Sequence, residues 1–301
     1  MSEFAVEISH LTYRVKRAFT LEDLSLRVPA GSIYGFLGPN GSGKTTTIRL
    51  VLGLLRPESG AITVLGHAIP SEVPAALARV GYVPEAPHLD PTLSVAEAIW
   101  FHSRFYPTWD EAWAARLVRD FELDPRRPFG RLSKGQKGKL MMLLALAQRP
   151  ELLVLDEPTD GLDPVVRRDM LSALLDYVSQ HQATVFISSH LIHELERICD
   201  WVGVMDGGRL VADVGMERFK TGMKRLKVSK SPRDLAPLPF RVLTRTPVNG
   251  NGTEMWLVRD WAPEMAASLT AAGGELQEVI DLDLEEGFVE LLRSFRRPAD
   301  V

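Results

Sequence analysis

The stretch GPNGSGKTT, Gly38–Thr46, sits between the apolar run SIYGFL (Ser32–Leu37) and TTTIRLVLGLL, whose apolar residues recur at helical spacing. Gly38, Gly43, Lys44 and Thr45 fit the pattern G-x-x-x-x-G-K-[ST] in its strand–loop–helix setting. Glycines let the backbone curl, so that N–H groups along Asn40, Gly41, Ser42, Gly43, Lys44, Thr45 and Thr46 can turn toward phosphate oxygens. The helix that follows adds its positive N-terminal end, equivalent to about half a charge. Lys44 can then reach the outer phosphates, and the Thr45 hydroxyl can ligate Mg²⁺. The loop is built to hold the phosphate tail of a nucleotide. Its helix is expected to stop at Arg56-Pro57, with Gly60 beyond.

Working outward, ELLVLD and ATVFISS are continuous apolar runs, as expected of strands buried on both faces of a parallel sheet. The amphipathic stretch PVVRRDMLSALLDYVSQ between them completes a βαβ unit. LLVLDEP (Leu152–Pro158) ends a strand in two acids, and ligands bind beyond the carboxyl ends of such strands. Asp156 is therefore expected to face the magnesium, and Glu157 to polarise an attacking water. Upstream, FAVEI and DLSLRV alternate like half-buried strands. From Glu85 to Pro150 the pattern is mostly helical, punctuated by prolines. Its aromatics Trp100, Phe101, Phe105, Tyr106 and Trp109 fit either an exposed protein-binding patch or the insert's own core, which is expected to take at least half of them. Past Thr221, KRLKVSK, FRVLTRT and EMWLVRD read as strands, the last two joined through VNGNG. APEMAASLTAA reads as a helix, ELQEVIDL as a strand and LEEGFVELLRSF as a closing helix, a small α+β module with Trp256 and Trp261 in its core.

Bulk composition narrows the setting. Of 301 residues, 45% are apolar and 25% charged, which fits an ordinary globular chain. The net charge of −4 gives no support for nucleic acid as a partner. Cys199 is the single cysteine, so no intramolecular disulfide can form and a reducing compartment is expected. MSEFAVEISHL has no secretory pattern, and LMMLLALA falls far short of the roughly 20 apolar residues that cross a bilayer.

LSKGQ (Leu132–Gln136) resembles the LSGGQ signature of the ATP-binding subunits of ABC transporters, with Lys134 at the third position. TDGLD (Thr159–Asp163) resembles that family's D-loop, SSH (Ser188–His190) its switch histidine, and GYVPE (Gly81–Glu85) its Q-loop with Glu85 in place of glutamine. The resemblance covers about residues 4–215, with five motifs in the family's order. It implies an α/β fold: a P-loop NTPase core of the ABC ATPase kind with a helical signature subdomain. The implied domains are a nucleotide-binding domain over 1–220, its helical part at about 86–150, and a C-terminal accessory module over 221–301.

The implied activity is hydrolysis of ATP, with Mg²⁺, to energise a membrane transporter. Glu157 acts as base, and His190, Lys44 and the metal stabilise the γ-phosphate. Thr45, Glu85 and Asp156 hold the metal. Two copies, or one copy and a related subunit, close around ATP so that Ser133, Gly135 and Gln136 of one complete the site of the other, with Asp163 communicating between them. The base-stacking ring is assigned to Tyr13; the family's tyrosine position falls on Val15, and Phe19 is also near. Glu85 and the S-K-G sequence resemble the branch that exports drugs, lipids and polysaccharides. The implied partner is a separate integral-membrane permease, which places the chain in the cytoplasm on the inner face of the cell membrane. The alternative is a soluble ABC ATPase acting on ribosomes or nucleic acid, but there is one cassette, and only about 90 residues separate the phosphate loop from LSKGQ. A P-loop kinase or GTPase gives LSKGQ no role, and no N-K-x-D guanine reader is present. Gly138, inside a predicted helix, costs roughly 1 kcal/mol relative to alanine with no reason visible in the sequence.

Overall fold

The computed structural model describes residues 3–15, 19–230, 238–249 and 252–296. They divide into two compact units: residues 1–190 with 203–210, and residues 191–202 with 211–301.

In the first unit, β1 (Phe4–Val15) and β2 (Phe19–Pro29) run antiparallel and lead into β3 (Ile33–Leu37), after which the glycine-rich loop opens α1 (Lys44–Val51). β4 (Ser59–Val64) and β5 (His67–Ile69) join the first two strands in a four-stranded sheet of order β2-β1-β4-β5. α2 (Val73–Leu77) and β6 (Val80–Val83) follow, then the helical stretch with α3 (Val95–Ser103), α4 (Glu111–Asp120) and α5 (Lys134–Ala147). The chain returns through β7 (Leu152–Asp156), α6 (Pro164–His181) and β8 (Thr184–Ser189). After α7 (Ile192–Leu195), which belongs to the second unit, come β9 (Trp201–Asp206) and β10 (Arg209–Gly215). The second sheet has the order β10-β9-β3-β8-β7-β6, and β3, β8, β7 and β6 run parallel.

Every residue of β3, β7 and β8 is buried, the physical counterpart of their unbroken apolar sequences. Rings of Tyr34 and Phe36 lie 5.7 and 5.1 Å from Phe186 across neighbouring strands. Register pairs Leu37 with Ser189 and Asp156 with Ser188, which brings three strand ends to one level. That alignment positions the site.

α1 ends at Val51, short of the expected Arg56-Pro57. Gly53, at φ +68°, takes the left-handed turn that closes a helix, donating to Leu50 O while Leu54 N–H donates to Arg49 O. Local backbone chemistry ended the helix before proline could. α3 and α5 each start with a reciprocal cap, Ser94 with Glu97 and Ser133 with Gln136. α6 is capped by Asp163, whose carboxylate accepts from Val165 and Val166 N–H, with Pro164 as its first residue.

Trp100, Phe101 and Phe105 are exposed, at 59%, 52% and 64%, and Tyr106 and Trp109 are half-buried beside His102. Fewer of these aromatics are core than expected, because short α3 buries its opposite face, through Val95 and Ala98. Among the described residues, no helix is long and apolar enough to cross a membrane.

The second unit contains α7, α8 (Met216–Gly222) and a four-stranded antiparallel sheet. The sheet comprises β11 (Lys224–Ser229), β12 (Arg241–Asn249), β13 (Thr253–Arg259) and β14 (Glu275–Asp281), in the order β12-β13-β11-β14. The turn expected at VNGNG falls partly outside the described residues. α9 (Ala266–Ala271) is shorter than the expected helix, since Pro263–Met265 forms a 3₁₀ turn instead; α10 (Leu284–Arg296) closes the chain. Trp256 is fully buried, and Trp261 packs edge-on against Phe240 at 4.8 Å.

Candidate functional site

A cleft of about 580 Å³ opens at the ends of the parallel strands, and Asn40, Gly41, Gly43, Lys44, Thr45, Thr46, Glu85 and Glu157 all line it. Gly38 and Ser42 are buried in the loop beneath. A Cβ on Gly38 would overlap the Met205 carbonyl oxygen, and one on Gly43 would come within 2.7 Å of Phe19 and Leu21 side-chain atoms. Gly41 and Gly43 take φ of +79° and +113°, conformations that glycine alone adopts cheaply.

Lys44 is buried. Its ammonium donates to Gly38 O at 2.6 Å and Pro39 O at 3.3 Å, and lies 3.0 Å from Glu157 Oε1. Glu157 Oε2 is 2.9 Å from His190 Nδ1 and accepts from the His190 backbone N–H at 3.3 Å. Beside this triad, Thr45 Oγ1 donates to Asp156 Oδ1 at 3.1 Å. Burial pushes the Asp156 carboxyl above the usual carboxylate range and Glu157's charge adds to that, while hydrogen bonds from Ser188 and Thr45 and the charge of Lys44 oppose it. Nearby Tyr82 is pushed up to about 12, first by burial and then by the charge of Asp156. Carboxylates in such a place are costly unless they have partners, and both have them.

The residues present fit a nucleotide phosphate and its metal. Ser42 Oγ is buried with no hydrogen-bond partner among the described residues, a polar atom left for a phosphate oxygen. No group of three or more His, Cys, Asp or Glu could hold a metal ion among the described residues. A magnesium ion, which keeps several waters and takes few protein ligands besides phosphate oxygens, suits the Thr45–Asp156 pair.

Some expected residues are not brought to the cleft. Tyr13 and Phe19 both pack against the hydrophobic core, but Phe19, with Val15, also lines the cleft and Tyr13 does not. Tyr13 pairs with Leu21 and Val15 with Phe19 in the β1–β2 ladder, so all four share one face, and Tyr13 is kept from the cleft by lying one same-face pair further along the ladder. Ser133, Gly135 and Gln136 sit at the N-terminus of α5 and are not among the cleft's lining residues; neither is Asp163. Lys134 is exposed yet pairs with Asp160 at 3.4 Å, and Asp160 lies 3.9 Å from His190 Nε2. One residue to which the motif reading gave no role is Ser188, the first residue of SSH, which is fully buried and hydrogen-bonded to Asp156.

A phosphate loop, a buried lysine and paired acids at one end of a parallel sheet define a P-loop nucleotide hydrolase. The family model described as ABC transporter matches residues 21–160. The Nod factor export ATP-binding protein I of Burkholderia orbicola is 37% identical over 71% of this chain and 71% of its own length. The protein of the same name from Cupriavidus metallidurans is 34% identical over 90% of this chain and 91% of its own. A solved structure of an ATP-binding subunit of an ABC transporter matches with a TM-score of 0.65, at 28% identity, over 72% of this chain and 92% of that one. This chain belongs to the ATP-binding proteins of ABC transporters. Its reaction is that family's hydrolysis of ATP to ADP and phosphate.

Proposed function

We propose that this chain drives export through a separate integral-membrane permease, on the inner face of the cell membrane. The observation that carries the chemistry is the Glu157 carboxylate held between Lys44 and His190, next to the Thr45–Asp156 pair. In that setting Glu157 orients and deprotonates the attacking water, while Lys44 and His190 neutralise charge that grows on the transferred phosphoryl group. Thr45, Asp156 and Glu85 would hold Mg²⁺, which would supply positive charge against the phosphate oxygens. The backbone from Gly38 to Thr46 cradles the phosphates, and the base stacks near Phe19 rather than on Tyr13. The export names of the two relatives support the direction of transport, as do Glu85 and the S-K-G sequence.

Each site is completed by a second subunit, a twin or a related chain, which contributes Ser133, Gly135 and Gln136, with Asp163 in contact across the pair. Their lying outside this chain's own cleft supports that division of labour. The nucleotide-binding domain spans 1–220, with 86–150 as its helical part, and 221–301 is an accessory module. Nucleic acid has no place in the scheme, consistent with the net charge of −4.

Glu157→Gln should bind ATP normally, lower turnover by about a hundredfold or more, and accumulate as an ATP-bound dimer on size exclusion. Adding Ser133→Arg should abolish that dimer and leave ATP binding intact. Wild-type turnover by Glu157→Gln would show that another group is the base. A strictly monomeric Glu157→Gln protein with Mg²⁺ and ATP would remove the shared site.

A further inference from the structure

We propose that Ser188 is a positioning residue for hydrolysis, its one hydroxyl fixing both acids at the end of β7. The inference rests on reading the cleft as an ATPase site. Ser188 is fully buried near the end of β8, paired in parallel register with Asp156. Its Oγ donates to Asp156 Oδ1 at 2.8 Å and accepts from the Glu157 N–H at 2.9 Å. The same Asp156 oxygen accepts from Thr45 Oγ1, so a single carboxylate oxygen is held from two sides.

The second bond matters because of how Glu157 leaves the strand. Its φ is +47°, a left-handed conformation that a glutamate adopts rarely and at a cost. Glu157 lies beyond the last residue of β7, and the Ser188 hydroxyl is what its N–H meets there. Without that acceptor, a buried donor is left unpaired and the turn loses its tie to the sheet. The turn is what aims the Glu157 carboxylate at Lys44 and His190. Losing one oxygen atom therefore loosens the rotamer of the metal-facing acid and the peptide that carries the water-facing one. Serine suits the position: it is short enough for a fully buried site and can donate once while accepting.

The test is Ser188→Ala in the full chain, a change that adds no volume. The loss of one hydrogen bond to a charged group predicts a kcat lower by about tenfold to a hundredfold, with KM for ATP within about twofold. Mn²⁺ affinity in the presence of ADP, read by electron paramagnetic resonance, should weaken several-fold, while nucleotide affinity measured without divalent cation stays at the wild-type value. A lower melting temperature alongside wild-type kcat and Mn²⁺ affinity would make Ser188 merely structural and overturn the proposal. Controls separate this from the reading beneath it: if Lys44→Ala keeps ATP affinity or Glu157→Gln keeps turnover, the ATPase assignment of the cleft falls. If both controls lose those properties and Ser188→Ala loses neither kcat nor Mn²⁺ affinity, Ser188 alone is misassigned.

Discussion

At the scale of single residues, the phosphate loop is held by what its glycines lack. A methyl group on Gly38 has nowhere to go, because the atom in its way is the Met205 backbone carbonyl rather than a movable side chain. Gly38→Ala should displace the loop, lowering ATP affinity by about tenfold and stability by about 1–3 kcal/mol, as overpacking does; calorimetry and a thermal melt check the two effects. The motif spacing made Gly38 and Lys44 legible in the sequence. Lys134 was less so. The structure makes it both exposed and paired with Asp160, over Gly161, where a Cβ would come within 2.6 Å of its ammonium. An exposed pair of this kind contributes little to stability.

α5 is buried along almost its whole length from Gly138 onward, a fate that its apolar tract LMMLLALA foretold. Gly138 is explained only in part by its neighbours. A Cβ there would lie 3.4 and 3.5 Å from the sulfur and terminal methyl of Met170 on α6, an ordinary contact, and the glycine φ is not in the left-handed region. Gly138→Ala should therefore fold, and should raise stability by about 0.5–1 kcal/mol through helix propensity. Denaturant unfolding decides it: a loss of stability would mean that α5 and α6 approach too closely for a methyl group. The ends of elements were harder to read. α1 stopped at a glycine that looked like one more member of an apolar run, since a left-handed turn depends on one φ value and not on hydrophobic period.

Across the whole molecule, the second unit reaches back before residue 221. It includes Leu191–Val202 and Val211–Gly222, so α7 and α8 belong with the C-terminal sheet and α10. Arg218 bonds Asp260, and Trp261 N–H donates to Gly222 O. A chain cut after Lys220 would leave Leu195, Met216 and Phe219, all buried in the intact protein, without their covering residues. It should give less soluble protein and a lower melting temperature than the full chain, measured by yield and thermal scan. A truncated chain as soluble and stable as the full one would mean that the first 220 residues are self-sufficient.

The fold class, the phosphate loop, the paired acids and the order of the motifs were legible from the residues alone, because those depend on local spacing and on apolar runs that have one favourable burial. The tertiary structure alone decided which side chains meet. Strand register set Ser188 against Asp156, position along the β1–β2 ladder put Phe19 and not Tyr13 at the cleft, and a left-handed turn aimed Glu157 at Lys44 and His190. Such meetings join residues more than a hundred positions apart in one case and about thirty in others, and no local pattern encodes the register that brings them together.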